Sequence, residues 1–340
     1  MSILAAAGDE PITAASIMLA LMTVGFGTVI AAVLGFFRRG SVVGPPRGER
    51  SEAPGVLLVL AAGLVVWFGA QIVYGSVRAA QHRASGSTEP FTTAVLGAAD
   101  YAFLSTIPFI LALLVVAVGD RLAAPTLPRE LGWSLGQLRG GLWRGGLAAL
   151  SIVPLVMGGS IFLTMLYRAI GYEHPTAHEM LKVLGESRDP VIRVTLIIGA
   201  TLLAPVFEEF LFRGHLQTLL VHAFSPRPQP APRREVYGFE PLVPGAPRLE
   251  PPPPPAPPEP PPAPSARVRW AAIFLASLAF AALHPVWTWP LIFVLSIGMG
   301  YAYERTGNLW VPVVIHLLFN TFNTVYMLLS QRFEPLPQPL

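Results

Sequence analysis

The stretch that decides the fold is Ala204-Pro-Val-Phe-Glu-Glu-Phe-Leu-Phe-Arg-Gly214, which places two carboxylates and an arginine inside an apolar run. An unpaired charge in a bilayer costs about 2.5 to 3.5 kcal/mol, so these side chains need partners or a function. On a helix, Glu209 and Arg213 are one turn apart and lie on one face, where they can pair. Glu208 points elsewhere, which leaves it as the carboxylate without a local partner.

The composition around this stretch is that of a polytopic membrane protein. The chain has 340 residues, of which 53% are hydrophobic and 13% are charged. Soluble domains have about 25% charged residues. There is no cysteine, which excludes disulfides and thiolate metal sites. The net charge of +3 comes from arginines between the apolar runs. In a membrane protein, arginines in these positions are explained by topology before a nucleic-acid partner needs to be considered.

The hydropathy pattern predicts an all-α protein with about eight transmembrane helices and an active site inside the helical bundle. A span needs about 20 apolar residues. The segments that qualify or nearly qualify are 12–37, 55–77, 94–118, 147–167, 191–224, 268–284, 287–303 and 309–330. Most of the 23 Lys and Arg residues lie in the loops of one side, which by the positive-inside rule places both termini outside.

A proline-rich segment interrupts the second half of the chain. Residues 225–266 carry half of the 36 prolines, including five in a row at Pro251–Pro255. The segment has no helical or strand period, so we predict a cytoplasmic linker of polyproline type. An extended spacer is favoured over a docking site for a partner module with an aromatic groove. The predicted organisation is therefore 1–189, about four transmembrane helices, and 190–330, a catalytic core with the linker inserted.

Two later apolar runs each carry a histidine, at His284 and at His316 with Asn320 one turn on. A carboxylate and an imidazole that converge on one water form a general base, which Glu208 and His284 could provide. His316 and Asn320 share a helix face, where their side chains could stabilise an oxyanion. These parts predict hydrolysis of an acyl bond, most naturally a peptide bond.

The same residues allow a second chemistry. Glu208, His284 and His316 could instead be the ligands of a divalent metal such as zinc, because two histidines and one carboxylate form a known catalytic zinc set. The usual HExxH pattern is absent, so the ligands would come from three separate helices. The sequence does not separate the two mechanisms.

The ordered set EExxxR, FxxxH and HxxxN resembles the CPBP family of intramembrane proteases, which includes CAAX prenyl endopeptidases and Abi proteins linked to bacteriocin self-immunity. The motifs are carried by Glu208, Glu209 and Arg213, then Phe280 and His284, then His316 and Asn320, within roughly 190–330. The resemblance implies that Glu208 and His284 activate water, that His316 and Asn320 support the oxyanion, and that Glu209 and Arg213 are structural. Family members are commonly called metalloproteases, although a metal-free glutamate mechanism is also argued for them, so the cofactor stays open.

The resemblance also implies a membrane-associated protein or peptide as substrate and the lipid bilayer as the surroundings. We expect a multi-pass protein of the bacterial cytoplasmic membrane. Two other classes stay open: an ion-coupled transporter, since intramembrane Glu, His and Arg mark proton relays, and a catalytically silent scaffold or immunity protein. No inverted internal repeat of the kind found in carriers is visible.

The surroundings of further polar residues in or beside the apolar runs can also be predicted. Asp100 is predicted to bond a neighbouring helix. His215 either borders the site or lies near the headgroups at a helix end. Arg269 and Glu304 are expected at the membrane interface. Helical rise counted from Val191 puts Glu208 near the inner face, and rise counted from Val268 puts His284 near the outer face, unless the start of the 191–224 run projects beyond the membrane.

Overall fold

The computed structural model describes residues 14–35, 55–87, 90–92, 95–123, 125–173, 179–225 and 264–333, and these residues are almost entirely helical. The helices are α1 (Ala14–Val33), α2 (Val56–Ala84), α3 (Ala98–Leu104), α4 (Ile107–Ala123), α5 (Leu127–Glu130), α6 (Leu135–Ala169), α7 (Glu179–Glu186), α8 (Pro190–Ile198), α9 (Ala204–Glu209), α10 (Thr218–Phe224), α11 (Ala266–Ala282), α12 (Trp289–Thr306) and α13 (Trp310–Phe333). No strand occurs in the described ranges, which confirms the predicted all-α class.

Seven helical stretches of the described chain are long and apolar enough to cross a membrane. They are Ala15–Val33, Val56–Ala84, Ala98–Ala123, Leu127–Ala169, Pro190–Phe224, Val286–Thr306 and Trp310–Leu329. The predicted span 268–284 corresponds to α11, which is helical but only 17 residues long. The polytopic membrane fold is therefore confirmed, with a count close to the predicted eight.

The segment from α8 to α10 is one continuous helix with two π-helical parts, Gly199–Leu203 and Phe210–Gln217. Asp189 caps its start by accepting a hydrogen bond from the Val191 N–H at 2.8 Å. A π turn shifts the backbone pairing and is often found at functional sites. Here the two π-helical parts flank α9, the short helix that carries Glu208 and Glu209.

This central helix lies between two groups of helices. α2 and α4 pack against it in one group, while α11, α12 and α13 pack against it in the other. Phe207 lies within 5.5 Å, centroid to centroid, of both the Trp67 and the Phe109 rings. Phe212 meets Phe280 edge-on at 5.1 Å. The apolar residues around the two carboxylates thus form the packing core, and the carboxylates are held inside it.

α6 is longer than the predicted span 147–167. It has 35 residues and packs along α1 and α13. The Ser151 hydroxyl donates a hydrogen bond to the Gly27 carbonyl at 2.8 Å, which ties α1 to α6. The additional residues lie at the start of the helix, which begins at Leu135 and is preceded by the turn at Gly132, whose φ is +74°.

Asp100 bonds a neighbouring helix, as expected. Its carboxylate accepts from the Tyr74 hydroxyl at 2.7 Å and from Arg78 Nη2 at 3.1 Å, both on α2. It also accepts from the Gly97 N–H at 2.8 Å at the start of α3. These contacts give Asp100 a structural role in joining α2 and α3.

The structure corrects two expectations about charged residues. Arg269 and Glu304 do not extend away from the protein: they form a buried ion pair at 2.8 Å, and Gln217 donates to the same carboxylate at 3.0 Å. His215 is fully buried and neither borders the cavity described below nor lies at a helix end near headgroups. Its Nε2 lies 2.9 Å from Asp120 Oδ1 of α4.

The proline-rich residues 226–263 lie outside the described residues. The helices on either side of them, α10 and α11, pack directly on each other. We therefore expect that replacing 230–262 with a Gly/Ser linker leaves hydrolytic activity nearly intact, because a segment without an apolar period cannot order a buried site. Activity of the purified variant against the parent is the measurement. A loss as deep as that of a Glu208 variant would place the segment in the site.

Candidate active site

A cavity of 390 Å³ lies next to the central helix. Its lining includes all four residues predicted to carry the chemistry: Glu208, His284, His316 and Asn320. Three separate helical regions supply them, namely α9, the turn after α11, and α13. The structure thus brings together side chains that are up to 112 residues apart in the chain, from Glu208 to Asn320.

His316 lies between the two carboxylates of α9. Its Nδ1 is 2.9 Å from Glu209 Oε1, which is hydrogen-bond distance, and its Nε2 is 3.8 Å from Glu208 Oε2. The Glu209 side chain is completely buried, whereas 14% of the Glu208 side chain is exposed, towards the cavity that it lines. Of the two adjacent glutamates, Glu208 is therefore the one that a molecule in the cavity can reach.

Glu209 pairs with Arg213, as the spacing predicted. Arg213 Nη1 lies 2.9 Å from Glu209 Oε1, one helical turn away. The other guanidinium nitrogen, Nη2, donates to the Ser296 hydroxyl at 2.6 Å, and the guanidinium lies 4.5 Å above the centre of the Phe280 ring. Arg213 is thus held by contacts from α9, α11 and α12, and its charge is committed to them.

The contact between Glu209 and His316 was missed by sequence reasoning. Spacing within one helix indicates which residues share a face, but a contact with α13 depends on how two distant helices pack. Because Glu209 Oε1 meets both Arg213 and His316, Glu209 connects the structural ion pair to the cavity. Glu209 therefore orients a cavity residue as well as pairing with an arginine.

His284 is oriented by its own helix end. Its Nδ1 lies 2.8 Å from the Phe280 carbonyl oxygen, and its ring packs against the Phe280 ring at 4.8 Å. A carbonyl can only accept, so Nδ1 carries the proton, and in the neutral ring Nε2 is the basic nitrogen. The Trp289 indole N–H donates to the His284 carbonyl at 2.7 Å and fixes the turn that follows α11.

Asn320 is fixed by the first π-helical part of the central helix. Its Nδ2 donates to the Ala200 carbonyl at 2.8 Å. A side-chain amide has two N–H donors, so this bond commits one of them. The π turn supplies the carbonyl that orients the Asn320 amide beside the cavity.

Glu208 and His284 line the same cavity, although helical rise counted from Val191 would separate them. The central helix from Pro190 to Phe224 has 35 residues, about 52 Å at 1.5 Å per residue, which exceeds the hydrocarbon thickness of about 30 Å. Its first turns pack in a separate apolar cluster that contains Leu196, Ala102, Leu184 and Met327. The start of the helix therefore extends beyond the level at which the short α11 ends.

The lining residues do not form a ready metal site. Among the described residues, no three His, Cys, Asp or Glu side chains converge closely enough to hold an ion. His284 and His316 each have Nδ1 at hydrogen-bond distance from an oxygen, an arrangement common in metal-binding histidines. Glu208 does not complete a ligand set with them, so the residues as placed here do not fit a metal ion.

Sequence reasoning also missed the part of the lining that comes from the first half of the chain. It includes Trp67 and Gln71 of α2, Tyr101 of α3, Ser105 between α3 and α4, and Phe109 of α4. None of them belongs to a motif that signals chemistry. Only the packing of α2 and α4 against the central helix brings them to the cavity.

The comparisons with known proteins locate the family in the second half of the chain. No curated protein and no solved structure matches the chain. Residues 190–322 match the family described as Type II CAAX prenyl endopeptidase Rce1-like, and these residues include every motif of the candidate site. The resemblance to CAAX-type proteases drawn from the motifs is therefore confirmed over residues 190–322 of this integral multi-pass membrane protein.

Proposed function

We propose that this protein is an intramembrane endopeptidase that uses Glu208 to activate a water molecule and hydrolyse a peptide bond of a membrane-associated protein or peptide. One observation carries the proposal: Glu208, His284, His316 and Asn320, predicted from separate spans, line a single cavity. The cavity volume of 390 Å³ falls in the range of ligand pockets, about 300 to 1,000 Å³.

The first step is attack by water. Glu208 accepts one proton from the water as the oxygen forms a bond to the substrate carbonyl carbon, which becomes tetrahedral. His284 orients the same water, since its Nε2 is the basic nitrogen while Nδ1 is bonded to the Phe280 carbonyl. The carbonyl π electrons move to the oxygen, which becomes an oxyanion.

The oxyanion is stabilised by donors on α13. Asn320 offers its second amide N–H, because the first is committed to the Ala200 carbonyl. His316 can donate through Nε2 only when both ring nitrogens carry protons, because its Nδ1 proton is committed to Glu209. This role for His316 therefore depends on Glu209, which pairs with the protonated ring.

The second step is collapse of the tetrahedral intermediate. The carbon–nitrogen bond breaks, and the proton held by Glu208 is transferred to the departing amine nitrogen. The products are a new carboxylic acid and a new amine, the acid then gives its proton to the amine to form carboxylate and ammonium, and Glu208 returns to its ionised form. No covalent bond forms between enzyme and substrate in this scheme.

The test is hydrolysis by the purified protein in liposomes. We expect cleavage of some peptides in a membrane-anchored library, with one atom of ¹⁸O in the new carboxyl group when the reaction runs in H₂¹⁸O. Ser105 is the serine that lines the cavity, and Ser105→Ala should leave the rate nearly unchanged. Trapping of an acyl group by hydroxylamine together with an inactive Ser105→Ala variant would replace water with serine as nucleophile. Absence of cleavage of every peptide would overturn the endopeptidase proposal.

A further inference from the structure

Part of the cavity lining lies outside the segment that matches the protease family. Trp67 and Gln71 of α2 line the cavity together with Tyr101 and Phe109, and all four precede residue 190. The family segment supplies Glu208, His284, His316 and Asn320. The lining contributed by α2, α3 and α4 therefore lies outside the matched segment.

Gln71 is a polar residue on a largely apolar helix. It follows Trp67 by one turn, so both lie on the same face of α2. The Trp67 ring packs at 5.5 Å against Phe207, the residue before Glu208, which places this face of α2 beside the catalytic carboxylate. The hydrogen bond that the Gln71 amide makes, to the Trp67 carbonyl, is 3.4 Å long. Strong N–H···O bonds are about 2.7 to 3.2 Å, so this bond holds the carboxamide weakly.

The charges around the cavity restrict what can enter. Its described lining contains no Lys, Arg or Asp, and Glu208 is its acidic residue. The nearby Arg213 is only 1% exposed and is committed to Glu209 and Ser296. The cations that an acidic group in the cavity could meet are the two histidines, which the proposed chemistry already uses, so an acidic group beside Glu208 would have a high desolvation cost. The part of a substrate that fits here is therefore non-acidic, and its peptide groups are polar atoms that the lining must bind.

We propose that Gln71 is a substrate-binding residue whose carboxamide hydrogen-bonds one backbone peptide group of a non-acidic substrate segment. A carboxamide carries an acceptor oxygen and two N–H donors, which complement the N–H and C=O of a peptide group. This inference rests on the proposed endopeptidase function. Its consequence is that α2 positions the substrate while the family segment performs the hydrolysis.

The test is a double-mutant cycle that combines one substitution in the enzyme with one change in the substrate. Starting from a peptide that the parent enzyme cleaves, each non-scissile peptide bond is replaced in turn by an ester, which removes the N–H donor and weakens the carbonyl acceptor. We expect one ester position to lower kcat/KM by about tenfold in the parent protein, the size expected for one neutral hydrogen bond. Gln71→Leu should lower kcat/KM by a similar factor, and the same ester should then cost the variant nothing further.

The matched control is Val73→Leu, because Val73 lies on α2 with 64% of its surface exposed and does not line the cavity. It should leave both kcat/KM and the ester profile unchanged. Additive effects of the ester and Gln71→Leu at every position, or an unchanged kcat/KM for Gln71→Leu, would overturn the inference while leaving the endopeptidase proposal standing. Failure of the parent protein to cleave any peptide would instead overturn both.

A second comparison tests whether the cavity excludes an acidic side chain of the substrate. An Asp placed at the residue next to the coupled ester position should lower kcat/KM by roughly 10²-fold relative to Asn, because the carboxylate would be buried beside Glu208 and could pair only with the histidines that the reaction uses. Equal cleavage of the Asp and Asn peptides would show that this segment of the substrate lies outside the cavity, and would overturn its placement against Gln71.

Discussion

Glu208→Gln should lower the rate of peptide hydrolysis by about 10²-fold or more, while the protein folds and inserts normally. Gln keeps the shape of the side chain and its hydrogen-bonding capacity but removes the base. The Glu208 side chain reaches the cavity and lies 3.8 Å from His316 Nε2 of α13, which is beyond hydrogen-bond distance, so little pairing is lost. The measurements are kcat/KM in liposomes and the thermal midpoint of the purified variant.

The matched control is Glu186→Gln, the same chemical change at an exposed carboxylate that does not line the cavity. It should have the parent rate. The Glu208 variant also separates the functional classes: a protease loses turnover and retains substrate binding, a carrier loses coupled flux, and a scaffold loses neither. Full hydrolytic activity of Glu208→Gln would remove Glu208 from the mechanism.

Glu209→Gln should lower the free energy of unfolding by about 3 to 5 kcal/mol, because breaking a buried ion pair leaves a buried charge without a partner. The side chains of Glu209 and Arg213 are 0% and 1% exposed, and their charged atoms are 2.9 Å apart. The measurement is the thermal midpoint or denaturant stability of the purified protein. Glu209→Gln/Arg213→Gln should recover part of the loss, since no unpaired charge remains.

Because Glu209 also contacts His316, changes at Glu209 are expected to affect the rate of hydrolysis as well as stability. Gln at position 209 still has an oxygen that can accept from His316 Nδ1, so activity per folded molecule should fall less than in Glu208→Gln. Glu209→Ala removes that acceptor and should lower both stability and rate. A Glu209→Gln protein with normal stability and no activity, beside a fully active Glu208→Gln, would reverse the two roles.

Much of the candidate site could be predicted because helical spacing and the cost of burying a polar side chain both act within single helices. The i, i+4 spacing of Glu209 and Arg213 predicted their ion pair, and that pair is present. The histidines were singled out because polar side chains in apolar spans need a reason to be there. A depth count that takes each apolar run as one membrane crossing separates Glu208 from His284. The alternative, in which the start of the 191–224 run projects beyond the membrane, agrees with the cavity that the two residues share. The central helix is longer than the bilayer, and α11 is shorter than a usual span.

The buried pairs between helices could not be predicted from spacing. Arg269 was expected to extend to the interface, yet it meets Glu304 from α12 inside the protein. For His215 the sequence allowed two surroundings, the border of the site or a helix end near the headgroups. The structure instead pairs His215 with Asp120. In each case the partner is on another helix, and its position is set by which helix faces pack together.

The sequence by itself determined the helical membrane class, the approximate spans, the pairing of Glu209 with Arg213, and the choice of Glu208, His284, His316 and Asn320 as the residues of interest. These follow from hydropathy and helical period, which are local properties of the chain. Only the tertiary structure decided that the four residues line one cavity, that Glu209 also holds His316, and that Gln71 and Trp67 of α2 belong to the lining. The physical reason is that these contacts depend on the packing of helices far apart in the chain, and an apolar helix surface allows many arrangements until its neighbours fix one.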